Sequence, residues 1–286
     1  MEGTKKKSIW KTLRGSLKPT PFLIVGILNV TPDSFYDGGK YFDPTQALAR
    51  AGEILSQGGN IIDVGGESTR PFSPRVSLEE EIRRVIPVVQ AIKENLPQAV
   101  ISVDTYKAEV ARRALEKGAE IINDVSACTF DPSLLEVVVE YKPGYVLMHS
   151  LGRPETMQEN PHYENVVEEI YAFFEEKLNL LVKKGLPEEN IVLDPGIGFG
   201  KLLEHNLAIL ANIEKFFSLG RPLYVGLSNK SMWEKLLGLK VGERQIATQV
   251  ATALLAQKGV YIHRVHEVKE TKETLIIVEA LKNASN

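Results

Sequence analysis

Asn29, Asp63, Asp104, Asn123, His149, Asp194, Ser228 and Arg264 with His266 each stand at the end of a short apolar run. Opposed carboxylates such as Asp104 and Asp194, with asparagines that donate and accept in one plane, suit the edge of a flat, amide-rich heterocycle. The plain alternative for either aspartate is a core carboxylate held in a salt bridge. Arg264 and Lys230 are a cationic pair fit for an anionic group, because guanidinium stays charged and forks onto phosphate or carbonyl oxygens. A rim salt bridge is the competing reading for Arg264. Arg264 and His266 are two residues apart and share a face if the run is a strand. The stretch Ser228-Asn-Lys-Ser231 precedes a helical segment, whose first N–H groups attract carboxylate or phosphate, although Ser231 could equally be an ordinary N-cap. Asn29 and Asp33 are suited to a hard cation such as Mg²⁺ beside substrate phosphates. The five histidines form no HExxH pattern, so a structural zinc is not expected.

The elements that must hold these groups are legible as β-rich runs at 22–29, 60–65, 99–104, 120–124, 144–149, 190–194, 222–228 and 260–266. Helical periodicity fills the gaps at 44–57, 78–94, 107–117, 132–141, 163–184, 204–217, 230–237 and 243–257. Parallel strands need helical crossovers, and strands buried on both faces read as continuous apolar runs. The expected fold is therefore α/β, a single eight-stranded parallel β/α barrel of the TIM type, with an open doubly wound sheet as the alternative. Residues 1–20 form a lead-in that covers the lower end, and 21–286 form one domain. Active groups of such barrels sit at the carboxyl ends of the strands, which turns the polar residues above into one ligand-binding rim. Two long connections, 30–42 and 67–77, are expected to cover it.

Asp194-Pro-Gly-Ile-Gly-Phe-Gly-Lys201 resembles a phosphate loop but breaks both the Walker and the dinucleotide patterns, leaving a close-approaching backbone beside an anion-compatible lysine. The chain has 286 residues, 34 Lys+Arg against 37 Asp+Glu, and a formal charge of -3, without the basic surplus that nucleic acid binding needs. A lone cysteine, Cys128, and no long apolar span point to a soluble, cytoplasmic protein without a membrane partner. Cys128 itself reads as a small buried hydrophobe.

Gly26-Ile-Leu-Asn-Val-Thr-Pro-Asp-Ser-Phe35, Asp63-Val-Gly-Gly-Glu-Ser-Thr-Arg-Pro71, Ser102-Val-Asp-Thr105, Ile122-Asn-Asp-Val125, Leu147-Met-His149, Thr156-Met-Gln-Glu-Asn-Pro161, Asp194 to Lys201 and Arg264-Val-His266 together resemble the dihydropteroate synthases. The resemblance implies condensation of 6-hydroxymethyl-7,8-dihydropterin diphosphate with 4-aminobenzoate, giving 7,8-dihydropteroate and pyrophosphate, with Mg²⁺ as cofactor and a homodimer as assembly. It further implies that Asp104, Asn123, Asp194 and Lys230 bind the pterin. Asn29, Thr69, Arg264 and His266 would meet the diphosphate, with Asn29 assisting the metal. Phe35, Pro71 and Ser231 would enclose the aminobenzoate, and Lys230, Arg264 and Asp104 would carry catalysis. A run at 275–281 is a helix that could serve the dimer.

Three positions depart from the family pattern: Asn229 where Arg is usual, Phe72 where Gly is usual, and Glu267 where Asp is more frequent. Two rival readings are a methyltetrahydrofolate-dependent methyltransferase on the same barrel and a paralogue that binds pterin without catalysis.

Overall fold

Leu23 to Leu28 are all buried, as a strand covered on both faces must be. This computed structural model describes residues 9–31, 36–37, 41–42, 44–68 and 73–284. A small hairpin of β1 (Trp10–Lys11) and β2 (Ser16–Leu17) precedes the long strand β3 (Leu23–Asn29). Within the first long connection lies a second small hairpin, β4 (Tyr36–Asp37) with β5 (Tyr41–Phe42), which the sequence pattern did not predict. The remaining strands are β6 (Ile61–Gly65), β7 (Val100–Asp104), β8 (Ile121–Asp124), β9 (Gly144–Met148), β10 (Ile191–Asp194), β11 (Tyr224–Val225) and β12 (Ile262–Val265).

Eight of these strands pair in parallel in the order β10-β9-β8-β7-β6-β3-β12-β11. A parallel bridge between Leu193 and Leu223 joins the two ends of that order and closes the ring. The helices outside it are α1 (Pro44–Ser56), α2 (Leu78–Asn95), α3 (Ala108–Glu116), α4 (Leu134–Tyr141), α5 (Val166–Lys184), α6 (Leu203–Ala211), α7 (Met232–Leu237), α8 (Gln245–Lys258) and α9 (Val268–Ala284). Their ends follow local chemistry. Ser77 caps α2 by accepting from the Glu80 N–H, with three glutamates in the first turn, and Asn165 caps α5 while Gly185 ends it in a left-handed turn.

Period-two alternation divides the strand residues into two cores. Ile24, Ile62, Ile101, Ile122 and Leu147 face outward into the helix layer. Val25, Ile61, Ile121, Val146, Val192, Tyr224 and Ile262 face inward, and Trp10 from the hairpin completes that inner cluster. Trp10 is fully buried, sits edge-on to Tyr224 at 6.4 Å between ring centroids, and donates its indole N–H to the Asn190 carbonyl at 2.8 Å. A third cluster of Tyr106, Val125, Met148, Met157 and Phe199 lies at the carboxyl ends of β7 to β10.

Candidate functional site

The barrel interior turns polar where the strands end. Asp63 of β6, Asp104 of β7, Asn123 of β8 and Arg264 of β12 form one linked set. Arg264 donates from Nε to Asp63 and from Nη2 to Asp104, both at 2.7 Å, and Asn123 donates to the same Asp63 oxygen at 3.0 Å. Burial pushes the Asp104 carboxyl up to about 7, with Arg264 working against the rise and Asp63 adding to it. For Arg264 the effect of burial is more than offset by Asp63 and Asp104, so its guanidinium is raised above its ordinary value. Arg264 thus sits between two carboxylates, where the sequence offered a diphosphate contact and a salt bridge as alternatives. Asp63 was singled out as a strand end without a role. It is fully buried, it anchors Arg264, and its Oδ1 has no protein partner among the described residues.

Across the mouth, Asp194 is buried and pushed up to about 6 by burial, while the Gly196 N–H bonded to Oδ1 at 2.8 Å and the Lys230 charge oppose the shift. Lys230 lies with its ammonium 4.4 Å from the centre of the Phe199 ring, and burial lowers it to about 8. The loop after β10 is shaped by glycines in the left-handed region. Gly196 has φ +67°, and a Cβ there would come within 2.0 Å of the His149 carbonyl oxygen. Gln158 donates to the Gly198 carbonyl at 2.6 Å and Tyr163 to that of Gly200 at 2.9 Å.

Two residues of this region differ from the sequence-based expectation. Lys201 is 2% exposed and bonds the His149 ring at 3.0 Å and the Phe199 carbonyl at 3.0 Å, so it straps the loop from inside instead of facing an anion. Burial lowers it to about 7. His149 is likewise no rim group: burial and then Lys201 push it down to about 2, leaving it neutral against Tyr163 and Phe173. The run of glycines hid this, because a lysine after Gly-rich backbone reads as exposed.

On the third side stands the turn after β11. Ser228 is buried against His266 and Glu267, and Asn229 holds φ +59°, a conformation asparagine tolerates better than most residues. Arg244 of the loop before α8 donates to the Asn229 carbonyl at 2.9 Å. Ser231 is the exposed residue before α7, and its side chain makes no cap bond. Asn29 ends β3 half-buried, and Gly65 lies opposite, where a Cβ would sit in ordinary contact at 3.7 Å from the Asn29 Oδ1 and 3.6 Å from the Asp104 Cβ. Phe35, Thr69, Pro71 and Phe72, with Asp33 and Arg70, lie outside the described residues.

Beside the second loop a buried ion cluster appears that sequence spacing did not signal. Lys107 contacts both Glu67 and Glu81, Thr105 donates to Glu81 at 2.6 Å, and Tyr106 donates to Glu67 at 3.0 Å. Ser68 and Ser73 lie 2.9 Å apart between their hydroxyls. Cys128 is half-buried at φ +59°, with its sulfur 3.2 Å from the Tyr145 hydroxyl.

Comparison with known proteins gives the same answer along nearly the whole chain. Residues 25–266 match the family described as "Pterin binding enzyme". The dihydropteroate synthase of Escherichia coli is 45% identical over 261 residues, which cover 91% of this chain and 92% of that enzyme. The Yersinia pestis dihydropteroate synthase, solved with a sulfonamide drug complex, superposes with a TM-score of 0.90 at 40% identity, covering 96% of this chain and 99% of that one. The Xanthomonas albilineans dihydropteroate synthase in complex with 7,8-dihydropteroate gives 0.83 at 35% identity, over 93% and 96% of the two chains. With a parallel barrel whose carboxyl rim carries Asp104, Asn123, Asp194 and Lys230, the chain belongs to the pterin-binding enzymes and, within them, to the dihydropteroate synthases.

Proposed function

We propose that this chain joins 6-hydroxymethyl-7,8-dihydropterin diphosphate to 4-aminobenzoate, forming 7,8-dihydropteroate and pyrophosphate for folate synthesis. The observation that carries the reading is the polar ring of Asp104, Asn123, Asp194 and Lys230 around an apolar wall of Met148 and Phe199, in a chain of this family. Asp104 and Asp194 accept from the amino and ring NH groups of the pterin, and Lys230 donates to its carbonyl. Arg264, held between Asp63 and Asp104, presents its flat guanidinium to the pterin and its charge toward the departing diphosphate, which His266 and Thr69 also contact. Phe35, Pro71 and Ser231 enclose the aminobenzoate.

The carbon–oxygen bond to the diphosphate breaks, the electron pair leaves with pyrophosphate, and the aniline nitrogen attacks the methylene carbon before losing its proton. No protein nucleophile is needed. Asn29 fits Mg²⁺, because its amide oxygen is a hard, neutral donor and such an ion takes most of its ligands from substrate phosphates and water. When bound there, the ion neutralises charge on the leaving pyrophosphate. A lone cysteine, and the absence among the described residues of a helix long and apolar enough to cross a membrane, support action in the cytoplasm.

A homodimer is supported by the outer face of α8 and α9. Ile246, Val250 and Leu254 recur every four residues on α8 and are 78%, 56% and 57% exposed, and Ile277 and Leu281 of α9 are 60% and 66% exposed. Apolar side chains grouped on two adjoining helices mark a contact surface better than isolated ones do.

Pyrophosphate release from the pterin diphosphate, followed with and without 4-aminobenzoate, tests the reading. Release that depends on aminobenzoate and yields dihydropteroate is the expected result; tight pterin diphosphate binding without release would make the chain a non-catalytic pterin binder. Lys230→Ala is expected to lower kcat/KM for the pterin diphosphate roughly 10- to 100-fold, the worth of one charge-assisted hydrogen bond, with the fold retained. Normal turnover in that variant would remove Lys230 from the site.

A further inference from the structure

Asp63 Oδ1, Ser102 Oγ and Tyr224 Oη are buried and have no hydrogen-bond partner among the described residues. The barrel brings them together. Inward side chains of such barrels stack in layers of four, each layer drawn from alternate strands. In this ring the strand pairing places Asp63, Asn123, Asp194 and Arg264 in one layer and Val25, Ser102, Val146 and Tyr224 in the layer directly beneath. β7 and β11 lie on opposite sides of the ring, so Ser102 and Tyr224 project toward each other across the axis. The tyrosine is long enough to reach the axis and the serine is short, while the two valines bring nothing polar. Ser102 is also the direct partner of Asp63 on the neighbouring strand. Burial, and then the Asp63 charge, hold the Tyr224 phenol well above its ordinary value, so it keeps its proton and is a donor. Below this level the barrel is closed by Ile61, Ile121, Val192 and Ile262 and by Trp10, which meets the tyrosine ring edge-on.

We propose that an ordered water sits at the barrel axis between these three oxygens, and that Tyr224 is a positioning residue which acts through it on Asp63 and so on Arg264. The second half rests on the reading that Arg264 serves the pterin diphosphate. A water accepts from the Tyr224 and Ser102 hydroxyls with its two lone pairs and donates to Asp63 Oδ1, which pairs all three oxygens. Buried waters ordinarily make about three such bonds. A cation suits the place less well, because the Arg264 guanidinium already neutralises Asp63 at 2.7 Å. The bridge has a mechanical use. Asp63 takes both Arg264 Nε and Asn123 Nδ2 on the single oxygen Oδ2, and no protein donor among the described residues holds the other. A donor from below fixes the plane of that carboxylate, and with it the guanidinium that the carboxylate aims.

A high-resolution crystal structure tests the first half. The expected density is one water about 2.8 Å from each of the three oxygens. Contacts of about 2.4 Å would mark a cation, and a phenol bonded directly to Asp63 would leave nothing to bridge; either result overturns the proposal. Tyr224→Phe keeps the ring against Trp10 and removes only the hydroxyl. In urea unfolding, Tyr224→Phe and Ser102→Ala should each raise the unfolding equilibrium constant roughly 3- to 10-fold, the worth of one hydrogen bond. Combined, they should do less than the product of the two, because both side chains share one water. Effects that multiply fully would count against that water. For the second half, Tyr224→Phe is expected to lower kcat/KM for the pterin diphosphate roughly 3- to 10-fold while the KM for 4-aminobenzoate stays unchanged. Equal losses for both substrates would mean a general loosening of the barrel and would defeat the positioning role. An unchanged kcat/KM in an otherwise active enzyme would defeat it as well. A wild type that makes no dihydropteroate would instead defeat the use of Arg264, and that half of the proposal with it. Should Tyr224→Phe fail to fold, Ser102→Ala removes the donor on the opposite wall, and an unchanged kcat/KM in that variant would count against the proposal.

Discussion

Asp104 and Asp194 sit where carboxylates are costly, and both respond by holding their protons more tightly than usual, Asp104 at about 7 and Asp194 at about 6. Lys230 responds in the opposite sense and is lowered to about 8. In the proposed binding mode the pterin needs the carboxylates ionised to accept its NH groups and the lysine charged to donate. Asp104 is protonated below about pH 7 and Asp194 below about pH 6, while Lys230 loses its charge above about pH 8, so kcat/KM for the pterin diphosphate is expected to fall above about pH 8 and, in two steps, below about pH 7. A profile flat down to pH 5 would show that Asp194 is not required as an acceptor. The same raised values bear on stability: a carboxyl whose folded pKa is raised contributes stability at low pH that is lost as pH rises through it, so these two residues weaken the apo fold toward neutrality. At this scale the sequence was informative about residues that close strands, since alternation places Asp104, Asn123, Asp194 and Arg264 on one inner face. It was uninformative about Lys201, His149 and the cluster of Lys107, Glu67 and Glu81, because whether a polar side chain turns inward depends on partners brought from elements far away in the chain.

Among the elements, strands and helices were legible because both faces of each barrel strand are covered and produce unbroken apolar runs. What escaped was short. β1 and β2 have two residues each, too few for any periodicity, and their effect comes from one side chain. Trp10 fills the narrow end of the barrel and ties the lead-in to Asn190. Trp10→Ala should destabilise the protein by about 3–5 kcal/mol, as large-to-small changes of buried aromatics do, and denaturant unfolding measures it. A loss under about 1 kcal/mol would mean that the hairpin rests on the barrel without closing it. The helix predicted over 204–217 is in fact α6 followed by a 3-10 segment at Ile213–Leu219, the change falling at Asn212. Apolar residues at three- and four-residue spacings fit both helix types, so the pattern alone could not separate them.

For the whole molecule, the exposed apolar residues of α8 and α9 predict that the working form is a pair of chains. Replacing Val250 and Ile277 together by glutamate should place like charges on that face and halve the mass seen in sedimentation, without reaching the mouth of the barrel. A mass unaffected by both changes would move the contact elsewhere. The ring itself is unevenly sewn. β3 and β6 are joined along five residues, but β11 contributes only two, and its link to β10 is the single bridge from Leu193 to Leu223. Regions with few backbone bonds open at lower free energy than the rest of a fold. The turn that carries Ser228, Asn229 and Lys230 hangs from that seam. In mild denaturant, amide protons from 223 to 230 should therefore exchange before those of β9 and β10, and activity should vanish while the barrel's circular dichroism is still intact. Lys230, which the proposed function sets against the pterin carbonyl, is mounted on the part of the barrel expected to let go first.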